Sequence, residues 1–431
     1  MIKQTIEKIP GYDTLVLPIH KFRAVRAAAK YKKPAKGLKV IGVTGTNGKT
    51  STCYFIHRML REAGLSVGLM TTVAWGVNDD ITPQVAHMTT VSPKLLNKRL
   101  KEIADAGCEY LVFELTSHAL SQYRAHGIPI DIAVMTNVTH EHLDYHKTFE
   151  RYRDAKRKMF KLANSNESGQ RLGIINADDD SAKEFAKDIE YRLTYGVDHG
   201  QLRATDIKLT GSQAKYTAIF GDEKLKITSH IPGIFSVYNS LAAIAVGLSY
   251  GLTNEQIEKG IAALKSVEGR MERIDLGQDF DVVVDFAHTP DAFELLFSGI
   301  KSKGRIITLF GSAGGRRDPA KRPIQGEIAG KYSDIVILTE EDDRDTPGMD
   351  ILDQIAAGAE KFGKTRDKDL FLILDRPSAI EHAFSIARSG DLVLLLGKGH
   401  EKTIERADGE HPYLESDEAV KALKKLKKAR K

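Results

Sequence analysis

Residues 40–52, Val-Ile-Gly-Val-Thr-Gly-Thr-Asn-Gly-Lys-Thr-Ser-Thr, constrain this chain more than any other stretch. An apolar, β-rich run passes through a glycine turn into Lys49-Thr50 and then into a helical pattern. Gly45 and Gly48 let backbone N–H groups close around phosphate oxygens, and the following helix presents its positive N-terminus to them. Lys49 adds a point charge and Thr50 a hydroxyl suited to Mg²⁺. The usual form of such a loop has four residues between its first glycine and Gly-Lys, which would require glycine at Val43. This is a variant with a compact Gly-Thr-Asn-Gly-Lys-Thr core. A bare strand–turn–helix with a surface lysine is the competing reading, and the agreement of strand, glycine turn and helix weighs against it.

Around this loop the pattern predicts an α/β fold. Runs at 39–43, 67–71, 110–114, 132–136 and 172–176 read as strands with helical stretches between most of them, the signature of a parallel sheet covered by helices. From about 194 to 231 the texture changes to strands without helices (214–220 and 224–229), predicting an antiparallel appendage on the same domain. Helices return at 236–250 and 254–264. A second series starts near Gly269, with strands at 282–285, 305–310, 335–339, 370–374 and 392–396, and reads as a separate doubly wound, Rossmann-like domain. The expected division is a short N-terminal segment, 1–37, a central phosphate-loop ATPase domain with a mostly parallel sheet, 38–268, and a C-terminal domain, 269–431. Ligands in such sheets collect at the carboxyl ends of the strands, so a nucleotide clamped between the two domains is expected.

Composition excludes more than it assigns. No apolar run reaches membrane-spanning length, the N-terminus has no signal-peptide core, and Cys53 and Cys108 are too few for a disulfide framework. A cytoplasmic protein without stable membrane insertion is expected. The net charge of +5 misleads, because the last eleven residues hold seven of the 63 Lys/Arg and leave the body close to neutral against 58 acidic residues. With Ala422, Leu423, Leu426 and Ala429 at helical spacing, that tail reads as a solvated helix rather than a nucleic-acid contact. A second basic stretch, 20–36, reads as a peripheral helix.

The chemistry concentrates behind the loop. Glu114 ends the run Tyr-Leu-Val-Phe-Glu and is followed by Leu115-Thr116-Ser117-His118; a carboxylate at a strand end beside a phosphate loop suits a hard cation. The segment 137–146 carries His140, Glu141, His142, Asp144 and His146. Three histidines and two carboxylates admit a zinc reading, but Mg²⁺ at a triphosphate is the more economical, with His142 as a rarer nitrogen ligand. Lys156, in Tyr152-Arg-Asp-Ala-Lys-Arg-Lys-Met-Phe160, reads by itself as an ordinary exposed helical lysine.

Taken in order, Gly-Thr-Asn-Gly-Lys-Thr, Glu114-x-Thr-Ser-His118, Asn137-x-x-x-Glu-His142-Leu-Asp144 and Ala155-Lys156-x-x-x-Phe160 resemble the ATP-binding domain of the Mur ligases. The resemblance continues through Asn176-Ala-Asp-Asp179, the run from Pro232 to Asn239-x-Leu-Ala-Ala, Gly269-Arg270-Met-Glu272 and Val284-Asp285-Phe-Ala-His288-Thr-Pro290-Asp291. It ends with Lys321-Arg-Pro323 and Leu396-Gly397-Lys398-Gly-His-Glu401; these two groups and the one from Val284 to Asp291, with Ser117-His118, look like the tripeptide-forming branch of the family. The resemblance spans about residues 38–415.

That resemblance implies ATP on Gly45, Thr46, Asn47, Gly48, Lys49, Thr50 and Ser51, and two Mg²⁺ ions held by Thr50, Glu114, His142 and a carbamylated Lys156. Lys49, Lys156, His142 and Glu114 would serve catalysis, with adenine and ribose on Asn239, Arg270 and Asp285. It also implies a muramyl-peptide or related acyl acceptor and an amino-acid donor, bound by Thr89, Thr90, Thr116, Ser117, His118, His288, Arg344, Gly397, Lys398 and Glu401. The reaction would be amide synthesis through an acyl phosphate.

Two points depart from the family pattern. Only 37 residues precede the central strand, too few for the separate uridine-binding domain of members acting on UDP-linked substrates. A monomer is expected, with a partner chain as one substitute for that domain. Folylpolyglutamate synthase is an alternative relative, and a non-catalytic ATP-binding switch a rival class that the joint presence of Glu114, His142 and Lys156 opposes. Finally, 339–347, Thr-Glu-Glu-Asp-Asp-Arg-Asp-Thr-Pro, lies where the family selects its amino acid. Arg344 there favours diaminopimelate by bidentate recognition of a carboxylate, while the surrounding acids suit lysine.

Overall fold

The run containing the first strand is buried at every residue but its first, and a strand apolar on both faces must sit inside a sheet covered on both sides. The computed structural model describes residues 12–84, 89–139, 141–210, 213–300, 302–315 and 318–429, and places that strand in the interior of an eleven-stranded sheet. Its members are β1 (Lys39–Thr44), β2 (Val67–Met70), β3 (Ala74–Val77), β4 (Asp80–Pro83), β5 (Tyr110–Glu114), β6 (Ile130–Met135), β7 (Leu172–Asn176), β8 (Tyr191–Gly196), β9 (Leu202–Leu209), β10 (Ala214–Phe220) and β11 (Glu223–Ser229). The spatial order is β11-β10-β9-β8-β7-β6-β1-β5-β2-β3-β4. All pairings from β2 through β5, β1, β6 and β7 to β8 are parallel.

β1 is where the order reverses, with β5 on one side and β6 on the other. In register, Val43 lies beside Glu114 and Thr44 beside Met135, so three strands release their chains side by side at one edge. That is the switch point at which open α/β sheets bind ligands. Helix Lys49–Glu62 packs on β1, β2 and β5, and helix Phe149–Asn164 on β1, β6 and β7. One face of the sheet buries Val40, Leu111, Phe113, Ala133 and Met135 with Met159 and Phe160 in a common core.

Differences from the sequence expectation fall at the margins. The hairpin of β3 and β4 extends the edge antiparallel beyond residue 71, and β9 to β11 continue the main sheet. The edge hairpin escapes a hydrophobic-pattern reading because β4 is largely exposed and polar. The basic stretch 20–36 belongs to helix Tyr12–Lys30 and a 3₁₀ turn, Pro34–Gly37. Residues 1–11 of the expected N-terminal segment lie outside the described residues.

The chain divides into two compact units: Met1–Ile207 with Lys215–Ser229 and Ser236–Leu264, and Lys208–Ala214 with His230–Phe235 and Lys265–Lys431. The second unit holds a six-stranded sheet of β12 (Glu272–Arg273), β13 (Asp281–Asp285), β14 (Ile306–Phe310), β15 (Ile335–Leu338), β16 (Leu370–Leu372) and β17 (Leu392–Leu396), in the order β12-β13-β17-β14-β15-β16. Only β12 runs antiparallel. A hairpin of β18 (Thr403–Arg406) and β19 (Gly409–Pro412) follows. The basic terminal helix, Glu415–Ala429, is only partly solvated: Ala419, Ala422 and Leu423 are buried in the core of this unit. Residues 430 and 431 of the tail lie outside the described residues. Among the described residues no helix is long and apolar enough to cross a membrane.

Candidate active site

The loop after β1 is shaped by what lies against it. A Cβ at Gly45 would stand 1.8 Å from Thr136 Oγ1, and Gly48, at φ 80°, would place one 2.3 Å from Asn239 Oδ1. Both positions therefore exclude any larger residue, for contact and, at Gly48, for backbone reasons. The loop is pinned to the end of β6. Thr46 N donates to Asn137 O at 2.8 Å and Asn47 N to Asn137 Oδ1 at 2.9 Å. Asn47 O accepts from Thr136 Oγ1 at 2.7 Å and from Asn137 Nδ2 at 3.1 Å. Helix Lys49–Glu62 begins directly after Gly48, so Lys49, Thr50 and Ser51 occupy its first turn. Lys49 Nζ folds back to Thr46 O at 2.6 Å. Asn239, from helix Ile234–Ser249, accepts from Thr52 Oγ1 at 3.3 Å, which brings this predicted residue against the loop.

Glu114, 1 % exposed, accepts from Thr50 Oγ1 at 3.0 Å and from Thr72 N and Oγ1 at 3.0 and 2.9 Å. Thr90 Oγ1 donates to Glu114 O at 3.3 Å, and Thr89 precedes it, half-buried. Thr116 caps the short helix Ser117–Ser121 through Ala119 N at 3.2 Å. Ser117 Oγ meets His146 Nε2 at 3.0 Å, and the His118 ring packs edge-on to that of His142, 4.8 Å between centroids. His142, at φ 54°, has Nε2 3.6 Å from Glu141 Oε2. Tyr152 OH reaches Glu141 Oε2 at 3.2 Å and Thr46 Oγ1 at 3.0 Å, linking the histidine cluster to the phosphate loop. His140 lies outside the described residues.

Lys156 is not the exposed lysine that its residue type suggests. Helix Phe149–Asn164 starts at Thr148, which accepts from Arg151 N, and buries Tyr152, Ala155, Lys156, Met159, Phe160 and Ala163. Lys156 thus occupies a core position of the helical period, a signal already present in the spacing. It is 1 % exposed, its Nζ donates to Gly45 O at 2.5 Å, and it lies 4.3 Å from the Tyr152 ring centroid. Burial and then the charge of Lys49 push its basicity well below the ordinary lysine range, against the opposing carboxylates of Glu141 and Glu114. Sequence reading also missed Thr72 and Tyr152, whose roles come from strands and helices far apart in the chain.

Among the described residues no three His, Cys, Asp or Glu side chains converge as a ready-made metal group. The chemistry of Thr50 and Glu114, two hard oxygen donors in contact at the end of β5, fits Mg²⁺. An ammonium at Lys156 would not ligate a cation; a lysine held neutral would accept CO₂ and become an anion that does.

In the second unit the predicted residues form two groups. Asp285, at the end of β13, accepts from Met271 N and Ala287 N, each at 2.8 Å, and Gly397 N donates to Asp285 O at 3.1 Å. Burial raises the Asp285 carboxyl against the opposing charge of Arg270, whose guanidinium lies 4.6 Å over the Phe286 ring. His288 accepts from Lys321 Nζ and Gln325 Nε2 through its backbone oxygen, each at 3.1 Å. The other group centres on Asp342. Lys398, 1 % exposed, donates to Asp342 Oδ1 at 2.8 Å and Glu401 Oε2 at 2.7 Å. Burial alone would lower Lys398, but these carboxylates hold it above the usual range. Arg344 donates through Nε to Glu405 Oε2 at 2.7 Å and stands 3.6 Å from Asp342 Oδ2. Glu341 Oε2 is buried without a hydrogen-bond partner, near Gly397. Glu405 and Arg406, from β18, are members of this group that the sequence did not single out; Arg406 grips Glu340 bidentately.

A phosphate loop at the switch point of a parallel sheet, with a buried lysine behind it and a second α/β unit, defines a nucleotide-using enzyme of the P-loop ligase kind. The chain matches the Mur ligase middle domain over residues 43–247 and the Mur ligase glutamate ligase domain over 269–399. It is 42% identical over 418 residues to a UDP-N-acetylmuramyl-tripeptide synthetase of Roseiflexus sp., covering 93% of this chain and 81% of that protein. It is 39% identical over 383 residues to a UDP-N-acetylmuramoyl-L-alanyl-D-glutamate–2,6-diaminopimelate ligase of Syntrophomonas wolfei, covering 88% and 76%. A solved structure of a ligase of that same diaminopimelate type superposes with a TM-score of 0.66 at 28% identity, covering 94% of this chain and 82% of the other. The chain belongs to the Mur ligase family and is an ATP-dependent, amide-forming ligase. Its likeness to relatives named as tripeptide synthetases leaves the folylpolyglutamate alternative unfavoured.

Proposed function

We propose that this protein adds an amino acid to UDP-N-acetylmuramoyl-L-Ala-D-Glu or a closely related acceptor in the synthesis of peptidoglycan precursors. The observation that carries the reading is Lys156: a buried lysine of depressed basicity on the phosphate loop suits carbamylation and has no use in a simple nucleotide switch. The names of the relatives agree. ATP is assigned to the loop 45–51, with Asn239, Arg270 and Asp285 taking its nucleoside. Thr50, Glu114, His142 and carbamylated Lys156 would hold two Mg²⁺ ions, which neutralise phosphate charge when bound. Thr89, Thr90, Thr116, Ser117 and His118 are assigned to the acceptor, and His288, Arg344, Gly397, Lys398 and Glu401 to the donor. The protein is proposed to act in the cytoplasm as a monomer, with 38–268 and 269–431 as its domains.

In this scheme the acceptor carboxylate attacks the γ-phosphate and the donor amine displaces phosphate from the acyl phosphate. Lys49 offsets charge on the transferring phosphoryl group, and the backbone amides of the loop orient it. Meso-diaminopimelate is the preferred donor because Arg344 offers a fork for its distal carboxylate, which would then share or displace Glu405. The acids Glu341 and Asp342 beside it keep lysine as the second reading, since an ammonium fits the unpartnered Glu341 Oε2.

The test is to incubate the protein with Mg·ATP and the UDP-linked dipeptide, adding diaminopimelate or lysine separately, and to follow phosphate release and product mass. A product heavier by one amino-acid residue establishes the reaction and its donor. Bound ATP with no product from either amine would reject this acceptor.

A further inference from the structure

Helix Tyr12–Lys30 is built the wrong way round for a helix that only covers a protein core. Among the described side chains of this helix, residues 17–30, those it buries are small, Ala24, Ala27 and Ala28, and Leu17 is half-buried, while three large apolar side chains point outward: Ile19 is 50% exposed, Phe22 65% and Val25 42%. Positions 19, 22 and 25 are spaced three apart and lie along one stripe of the helix surface. An amphipathic helix of a soluble domain shows the opposite arrangement, with its large apolar residues inward and its polar ones outward.

From residue 14 onward, the charge along this helix has one sign. Lys21, Arg23 and Arg26 flank the three apolar residues and are exposed, and exposed Lys30, Lys32, Lys33 and Lys36 continue the basic surface through the following turn. No Asp or Glu occurs anywhere from residue 14 to residue 61. Apolar residues standing out of a basic surface make the pattern of a helix lying in the plane of a bilayer interface. The apolar chains enter the acyl boundary while Lys and Arg meet anionic headgroups.

We propose that the outer face of this helix, Ile19, Phe22 and Val25 with Lys21, Arg23 and Arg26, is a peripheral docking surface for an anionic lipid bilayer. The surface is a convex helix with single projecting side chains, which a fluid interface accommodates without shape complementarity. The complementary charge is that of anionic headgroups.

The experiment uses the full chain and sedimentation with vesicles of phosphatidylcholine containing phosphatidylglycerol, compared with phosphatidylcholine alone. Binding to the anionic vesicles is expected, weakening as salt is raised. Partitioning should fall about tenfold or more in Phe22→Asp, and likewise in the paired Arg23→Gln, Arg26→Gln variant, which leaves the apolar stripe intact. Replacing Lys424, Lys425, Lys427 and Lys428 by Gln should leave binding in place, which separates this helix from the basic C-terminal one. Circular dichroism and ATP-dependent ligation unchanged in each variant show that the fold is kept. No binding to anionic vesicles at low salt overturns the proposal, as does binding that survives Phe22→Asp or is lost only in the C-terminal variant. A concentration-dependent dimer that Phe22→Asp abolishes, without vesicle binding, would assign the face to a second copy instead.

Discussion

Lys156 shows how much a single position depends on its surroundings. The same side chain is an ordinary solvated cation on most helices, yet here its amine is packed against Gly45 O and the Tyr152 ring with Lys49 nearby. Lys156→Ala should lower ligation by orders of magnitude, and small carboxylic acids should restore part of the rate by standing in for the carbamate. A variant as active as the parent would remove the carbamate from the mechanism. The same residue also makes a prediction about stability. Its folded-state basicity is depressed below 10.5, so between the folded pKa and 10.5 the unfolded chain binds the extra proton and stability rises with pH. In CO₂-depleted, metal-free buffer, the melting temperature of the parent relative to Lys156→Met should therefore climb from neutral pH toward 10. A difference independent of pH would mean that the lysine is not held neutral. Arg344→Ala should reduce kcat/KM for diaminopimelate about tenfold or more while changing lysine use less, the loss of one charge-assisted contact. Equal losses with both donors would remove Arg344 as selector.

At the level of elements, the C-terminal helix is held by charge as well as by apolar packing. Arg376, fully buried at the start of helix Arg376–Ile386, donates from Nε and Nη2 to the two oxygens of Glu415 at 2.8 and 2.9 Å and also reaches Glu340 O and Leu396 O. Tyr413 OH donates to the same carboxylate at 2.7 Å. One arginine thereby ties the carboxyl ends of β15 and β17 to the first turn of helix Glu415–Ala429. Removing one partner of such a pair strands the other charge in the interior, so Arg376→Met should destabilise the second unit by about 3–5 kcal/mol in urea denaturation. Adding Glu415→Gln to that variant should recover part of the loss. An effect below about 1 kcal/mol would show the pair to be solvated.

For the molecule as a whole, two sheets with separate apolar cores predict that unfolding need not be a single transition. Urea titration followed by a probe in each unit should resolve two midpoints, with Arg376→Met moving only the second. A non-hydrolysable ATP analogue with Mg²⁺ should raise the midpoint of the unit carrying the phosphate loop, by about 2.7 kcal/mol at a hundred times its dissociation constant. Coincident midpoints that Arg376→Met shifts together would show one cooperative body.

The strand–loop–helix at 39–62, the parallel strands on either side of it and the strands of the second series were legible in the sequence because apolar period and glycine placement are local. The short hairpin of β3 and β4 was not, since β3 has only four residues and the edge strand β4, largely exposed, leaves no apolar alternation to read. At the site, the order of Gly45, Lys49, Thr50 and Glu114 along the chain sufficed to name them as candidates, and Thr50 and Glu114 do meet in the structure. What tertiary structure alone decided is contact between distant segments: Thr72 donating to Glu114, Tyr152 joining Thr46 to Glu141, and Asn239 set against Gly48. Sequence pattern indicates which face of most elements is buried, because that depends on their own period; helix Tyr12–Lys30, with Ile19, Phe22 and Val25 exposed, is an exception. Packing determines which polar atoms meet within that buried space, and so which charges are paired, desolvated or left for a ligand.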